Sequence, residues 1–123
     1  MVWIDLEMTG LDIEKESIIE IATVITDSEL NILAQGPNLA ITVPEELIHG
    51  MDEWNTTHHN RSGLVDRIRN SGVSIEEAQS ATLEFLQKWV EPKSAPLCGN
   101  SVWNDRRFLH KEMPLVADYL HYR

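Results

Sequence analysis

The sequence has very little cysteine and no long hydrophobic run. Cys98 is the only cysteine among 123 residues, so no intrachain disulfide can form and a reducing compartment is expected. We expect the cytoplasm, with the mitochondrion as the alternative. No apolar run approaches the roughly 18 residues that a membrane-spanning helix requires. Asp5 comes too early for a signal peptide, and these features together predict that the protein does not act in a membrane.

Basic residues are also scarce. Ten Lys and Arg stand against twenty Asp and Glu, which gives a net charge of −10. The densest basic cluster is Arg61, Arg67 and Arg69, whereas proteins that hold long nucleic acids by the backbone usually carry a basic stripe. We therefore expect no binding to long duplexes. An acidic protein can still act on phosphates if divalent metals lie between its carboxylates and the substrate.

The hydrophobic and charged fractions, 42% and 24%, are ordinary for a soluble globular protein, and the length predicts one domain over residues 1–123. Aliphatic residues at every second position of 2–7 predict a strand with Val2, Ile4 and Leu6 on one face. The β-branched run 17–26 predicts a second strand, buried on both faces. Further strands are expected at 30–34 and, beyond Gly36-Pro37, at 39–43, which would make a meander of three or four strands.

Helical signals follow these strands. Pro44 marks a helix start, residues 51–63 suggest a short helix and loop, and Ser74 with Glu77 predicts a capping box that opens a helix ending before Pro92. Residues 96–100 indicate a short buried strand or turn. Pro114 separates two predicted helices, 103–113 and 115–122. This order predicts an α/β domain with a mixed sheet.

An acidic pair on the first strand is the main candidate for chemistry. Asp5 and Glu7 share one strand face with Cβ atoms roughly 6.5–7 Å apart, a geometry that suits two metal ions and phosphodiester cleavage. Asp105, in the first turn of a short helix, is the best third acid. The alternative is that Asp5 and Glu7 simply mark a strand face exposed to solvent. Positions 5 to 16 also fit part of an EF-hand calcium loop, but no entering helix precedes Asp5 and a strand follows Glu16.

Several segments closely resemble the oligoribonucleases, which are DEDDh 3′-to-5′ exoribonucleases of the ribonuclease-H-like superfamily. They are D-L-E-M-T-G-L-D from Asp5, I-I-E-I-A from Ile18, G-N-S from Gly99, D-R-R-F-L from Asp105 and the final H-Y-R. The likeness covers essentially the whole chain. D-x-E-x-T-G-L alone is shared with other DEDD exonucleases, whereas Trp54, Ser101 and His-Tyr-Arg narrow it to this family. The resemblance implies a ribonuclease-H-like mixed sheet flanked by helices.

The resemblance also implies roles for individual residues. Two Mg²⁺ or Mn²⁺ ions would be held by Asp5, Glu7 and Asp105, the substrate would be a very short RNA, and the protein would be a homodimer with composite sites. The implied substrate-binding residues are Leu11 as a wedge between bases, Trp54 and His59 around the 3′ nucleotide, Ser101 near the 5′ end, and Tyr122 and Arg123 supplied by the partner subunit.

Simpler interpretations remain open for several of these residues. Leu11 suits an ordinary exposed apolar residue, and His58 and His59 suit solvated histidines of a polar loop. Core packing is an alternative for Trp54 and the favoured interpretation for Trp89 and Trp103. Glu20 is expected at a strand end or in a polar contact rather than in the site.

One family element is absent from the sequence. The general base of the family is a His in an H-x₄-D pattern whose Asp is the fourth metal acid, and no His here has an Asp five residues later. We expect both residues in a C-terminal helical segment that this chain lacks, and little activity from residues 1–123. Two alternatives are a proofreading-type DNA exonuclease and a non-catalytic nucleotide-binding homodimer.

Overall fold

The computed structural model describes residues 1–123 as a four-stranded mixed sheet flanked by helices. The strands are β1 Val2–Met8, β2 Ile18–Thr26, β3 Ile32–Ala40 and β4 Leu97–Cys98. They lie in the order β3-β2-β1-β4. β1 and β2 are antiparallel, as are β2 and β3, whereas β4 runs parallel to β1. The predicted α/β class with a mixed sheet is confirmed.

The alternating pattern of β1 positions the acidic residues. Val2, Ile4 and Leu6 are buried, so the residues between them must lie on the opposite face of the strand. That face carries Asp5 and Glu7, as predicted. The cross-strand register places Glu7 directly opposite Glu20 of β2.

The prediction of two separate strands around Gly36-Pro37 is wrong, because β3 is continuous through both residues. β3 is an edge strand, where a proline removes no hydrogen bond that the sheet needs. Ala22 pairs with Asn38 and Val24 pairs with Gln35, so two β3 residues oppose one β2 residue in a bulge. The meander therefore has three strands.

Six helices cover the sheet. They are α1 Glu45–His49, α2 Glu53–Arg61, α3 Leu64–Asn70, α4 Ile75–Trp89, α5 Val102–Glu112 and α6 Pro114–Tyr119. Ser74 caps α4 as predicted: its hydroxyl accepts from the Glu77 N–H at 3.1 Å. In a full capping box the Glu77 carboxylate would accept from the backbone N–H of Ser74. Here it accepts instead from the Ser74 hydroxyl, at 3.2 Å. No prediction covered α3, and α6 ends three residues before its predicted end.

Two hydrophobic clusters hold these layers together. The larger joins β1 and β2 to α4, α5 and α6 and includes Leu86, Phe108 and Val116. The smaller packs Ile48 of α1 and Ile68 of α3 against Ile19. The core positions predicted for Trp89 and Trp103 are wrong, since both side chains are exposed. None of the helices combines the length and the hydropathy needed to cross a membrane.

Candidate active site

Asp5 and Glu7 form the centre of an acidic site on the open face of β1. Burial raises the pKa of Asp5, and the negative charge of Glu20 adds to the rise. Burial is also the largest influence on Glu7, whose pKa is raised although His59 acts in the opposite direction. Negative charge is therefore concentrated in a partly desolvated place, where a cation would be favoured.

Asp105 joins this group from a distant part of the chain. It lies in the first turn of α5, and only 6% of the residue is exposed. Burial, followed by the charge of Asp5, raises the pKa of Asp105 to about 6, and Glu7 contributes further. The nearby backbone N–H of Leu6 limits the rise in pKa. The three predicted metal acids thus interact electrostatically across α5 and β1.

The EF-hand alternative is wrong for this chain. Asp5 and Glu7 belong to a strand rather than a loop, and the segment after Glu16 is β2 rather than an exiting helix. The Glu16 carboxylate accepts a hydrogen bond from the Thr9 hydroxyl. That hydroxyl in turn accepts from the Ser17 N–H at 3.0 Å, so Glu16 stabilises the turn.

Glu20 lies closer to the site than the sequence predicted. It faces Glu7 across the β1–β2 ladder, and its charge raises the pKa of both Asp5 and Glu7. Arg67 of α3 forms an ion pair with it and also reaches Asn38 at 3.4 Å. The expected polar contact of Glu20 is therefore present. The sequence did not predict that Glu20 lies near the site, because that proximity depends on the register between β1 and β2.

A cleft of about 450 Å³ adjoins Asp5, lined also by Trp3, Gly99 and Asn100 among others. Gly99 allows β4 to approach β1, because a Cβ at this position would lie 3.3 Å from the carbonyl oxygen of Ile4. The cleft connects the G-N-S segment to the acidic face of β1.

Leu11 and Trp54 line a second cleft, of about 450 Å³, together with Asp52 and Asn55. Both side chains are largely solvent-exposed, at 68% and 67%. The core alternative for Trp54 is therefore wrong. Asp52 caps α2 by accepting from the Asn55 N–H at 2.8 Å, which orders the start of the helix that carries the indole. An apolar side chain and an indole facing one cleft can sandwich a planar base.

The two histidines of α2 differ from the predicted solvated pair. His58 is exposed and stacks on Trp54, with ring centroids 4.8 Å apart. His59 is only 1% exposed. Its Nε2 atom lies 2.9 Å from the Met8 carbonyl oxygen, and its Nδ1 atom lies 4.0 Å from Glu7 Oε2. The buried imidazole therefore connects α2 to the acidic strand.

The remaining predicted binding residues lie outside these clefts. Ser101 is exposed at the start of α5 with φ 50°, in the left-handed region. Tyr122 stacks on His121 at 4.4 Å between centroids, and the guanidinium of Arg123 lies 5.9 Å from the Tyr122 ring. Tyr122 borders a groove of about 460 Å³ that also includes Lys93 and Arg106.

Comparison with known proteins agrees with this arrangement. Residues 2–123 match an exonuclease family. Among the most similar proteins are oligoribonucleases from Pseudomonas aeruginosa, 57% identical, Vibrio cholerae, 59% identical, and Acinetobacter baylyi, 54% identical, each over 123 residues. The alignments cover 100% of this chain and 68%, 68% and 67% of the relatives, respectively.

The chain therefore belongs to this exonuclease family, whose fold combines a mixed sheet with flanking helices and whose members are hydrolases. Within the family its relatives are oligoribonucleases, so the chain is of the 3′-to-5′ exoribonuclease class.

Proposed function

We propose that the protein hydrolyses very short oligoribonucleotides, down to dinucleotides, from the 3′ end and releases nucleoside 5′-monophosphates. One observation carries this proposal: after burial, the charge of Asp5 raises the pKa of both Glu7 and Asp105, beside a cleft that Asp5 lines. The oligoribonuclease relatives support the choice of RNA. The net charge of −10 and the absence of a basic stripe favour a short substrate over a long one.

The acidic group fits divalent metal ions by its chemistry. Asp5, Glu7 and Asp105 offer only hard oxygen ligands, which Mg²⁺ and Mn²⁺ prefer. Burial and nearby negative charges raise the pKa of all three carboxyl groups, and bound positive charge would relieve that penalty. When bound, two such ions supply a water of lowered pKa and stabilise the charge on the leaving oxygen.

Neighbouring residues are proposed to position the substrate. Leu11 and Trp54 would hold bases in the cleft that they share, and buried His59 would support the strand end beside the 3′ nucleotide. Ser101 would contact the 5′ end. Exposed Tyr122 and Arg123 would reach the site of a partner subunit, and we accordingly propose a homodimer.

A general base is still required for this chemistry. None of the five histidines is followed by an Asp at the fifth position, so residues 1–123 hold neither the base nor the fourth acid of the family pattern. We expect the 123-residue chain to bind a diribonucleotide in the presence of Mn²⁺ but to hydrolyse it weakly. We also propose a cytoplasmic location. The relatives named above are bacterial proteins, so they do not support the mitochondrial alternative.

Calorimetry and a cleavage assay test the proposal together. Diribonucleotide binding should require Mn²⁺ and should be lost in Asp105→Asn, whereas Asp118→Asn, which changes an exposed acid of α6, should bind normally. Weak cleavage, where detectable, should favour the diribonucleotide over a long single-stranded DNA. Preference for the long DNA would favour the proofreading-type exonuclease. Full turnover by residues 1–123 would refute the need for a further His and Asp.

A further inference from the structure

His59 has one buried ring nitrogen without a partner. Its Nε2 atom lies 2.9 Å from the Met8 carbonyl oxygen, which can only accept a hydrogen bond, so Nε2 carries the proton. Whenever Nδ1 carries no proton, it presents a lone pair. This atom is inaccessible to solvent and forms no hydrogen bond. An unpaired buried acceptor is unfavourable, so the position favours a partner that accepts electron density.

The nearest group to this lone pair is another acceptor. Glu7 Oε2 lies 4.0 Å from His59 Nδ1, which is too far for a hydrogen bond even if Nδ1 were protonated. A carboxylate oxygen and an imidazole nitrogen at this distance favour a positive charge between them, which either a proton on Nδ1 or a metal ion bound there supplies. The geometry therefore describes the two sides of a cation position.

His58 supplies a third ligand. The potential ligand atoms of Glu7, His58 and His59 all lie within 4.8 Å of one another. The His58 ring is ordered by its stack on Trp54, with an interplanar angle of 14°. It meets the His59 ring at 65° with centroids 5.3 Å apart. Adjacent positions on one helix thus place one exposed and one buried imidazole beside the same carboxylate.

We propose that Glu7, His58 and His59 form a site for a nitrogen-preferring divalent transition metal, with Zn²⁺ as the ion that fits best. Two imidazoles and a carboxylate are a zinc donor set, whereas Mg²⁺ prefers oxygen ligands. Zinc bonds to nitrogen and oxygen are each about 2.0–2.2 Å long. Tetrahedral bonds of this length hold the ligand atoms roughly 3.4 Å apart. His59 Nδ1 and Glu7 Oε2, 4.0 Å apart in the metal-free protein, would close by roughly half an ångström around the ion, and the exposed His58 would move in to complete the coordination.

The zinc position differs from the oxygen-only set of Asp5, Glu7 and Asp105, but the two share Glu7. Zn²⁺ at the histidines withdraws Glu7 from the proposed magnesium site and inhibits Mg²⁺-dependent hydrolysis. This inhibition rests on the proposed function, whereas zinc binding itself does not.

Calorimetric titration of the 123-residue protein with Zn²⁺ in excess Mg²⁺ tests the binding. Wild type should bind one Zn²⁺ with the same affinity as His49→Ala, a control that removes an exposed imidazole from α1. His58→Ala should weaken binding about tenfold or more, since lost metal partners cost at least that much. His58→Gln serves if the alanine variant fails to fold. Co²⁺ should give the intense visible bands of a low-coordinate nitrogen-containing site in wild type but not in His58→Ala.

Equal Zn²⁺ affinity in wild type and His58→Ala, no measurable Zn²⁺ binding, or the weak Co²⁺ bands of an all-oxygen site would each overturn the proposal. These measurements use no RNA, so they distinguish failure of the zinc site from failure of the proposed hydrolysis. Where hydrolysis can be measured, Zn²⁺ should inhibit wild type at lower concentration than His58→Ala.

Discussion

Replacing Asp105 by Asn should stabilise the metal-free protein at neutral and alkaline pH. The side chain is only 6% exposed, and burial together with the charges of Asp5 and Glu7 raises its pKa from 3.8 to about 6. The folded state therefore holds the proton more tightly than the unfolded state. Between these two pKa values stability falls as pH rises, and above pH 6 the full cost of the buried charge is present.

The expected size follows from the same pKa change. A rise from 3.8 to about 6 corresponds to about 3 kcal/mol in favour of the uncharged form. Asn has nearly the same shape and keeps an oxygen that can accept from the Leu6 N–H. In EDTA we expect Asp105→Asn to exceed wild type in free energy of unfolding by about 2–3 kcal/mol at pH 8. The advantage should be about 1.4 kcal/mol smaller at pH 5, where Asp105 of the folded wild type is already largely protonated.

Urea unfolding at the two pH values measures this difference. Subtracting the wild-type free energy of unfolding from that of the variant at each pH removes most of the contribution of other titrating groups. Asp118→Asn is the control, because this exposed carboxylate lies on α6, and its difference from wild type should not grow with pH. The reasoning is refuted if Asp105→Asn is less stable than wild type at pH 8, or if its advantage does not increase between pH 5 and pH 8.

Two further predictions concern the base cleft and the edge strand. Trp54→Ala should weaken diribonucleotide binding about tenfold in calorimetry, because base–indole stacking contributes about 1–3 kcal/mol. The urea midpoint of unfolding should change little, because the Trp54 side chain is 67% exposed. Trp89→Ala is the matched control, and equal binding by both variants would argue against the cleft. Gly36→Ala should destabilise by about 1–3 kcal/mol, because its Cβ would lie 2.7 Å from the Phe85 ring. Gly72→Ala, where a Cβ meets nothing within 4 Å, should change urea stability little, and similar losses in both would contradict the packing argument.

The bulge in β3 shows where local signals mislead. Gly36-Pro37 usually interrupts a strand, and the sequence predicted two strands accordingly. The observed strand continues because it lies at the sheet edge, where Pro37 costs no required hydrogen bond. The missing side chain of Gly36 makes room for Phe85 of α4. Neither the edge position nor the contact with α4 is visible in the neighbouring residues.

The sequence likewise predicted only part of the candidate site. The shared face of Asp5 and Glu7 follows from strand alternation, so it could be predicted from residues two apart. The contribution of Glu20 depends on the register between β1 and β2. The burial of His59 depends on how α2 packs against the end of β1. A polar stretch rich in histidine gave no signal that one ring would be buried and its neighbour exposed.

The sequence by itself determined the family motifs, the faces of β1, the cap of α4 and the scarcity of positive charge, because each depends on residues near one another in the chain or on composition alone. Only the tertiary structure brought Asp105 to the β1 carboxylates, placed Leu11 and Trp54 in one cleft and set the Nδ1 atom of His59 opposite Glu7. Electrostatic and packing interactions depend on distance in space, and the chain reaches those distances only when α2 and α5 pack against the sheet.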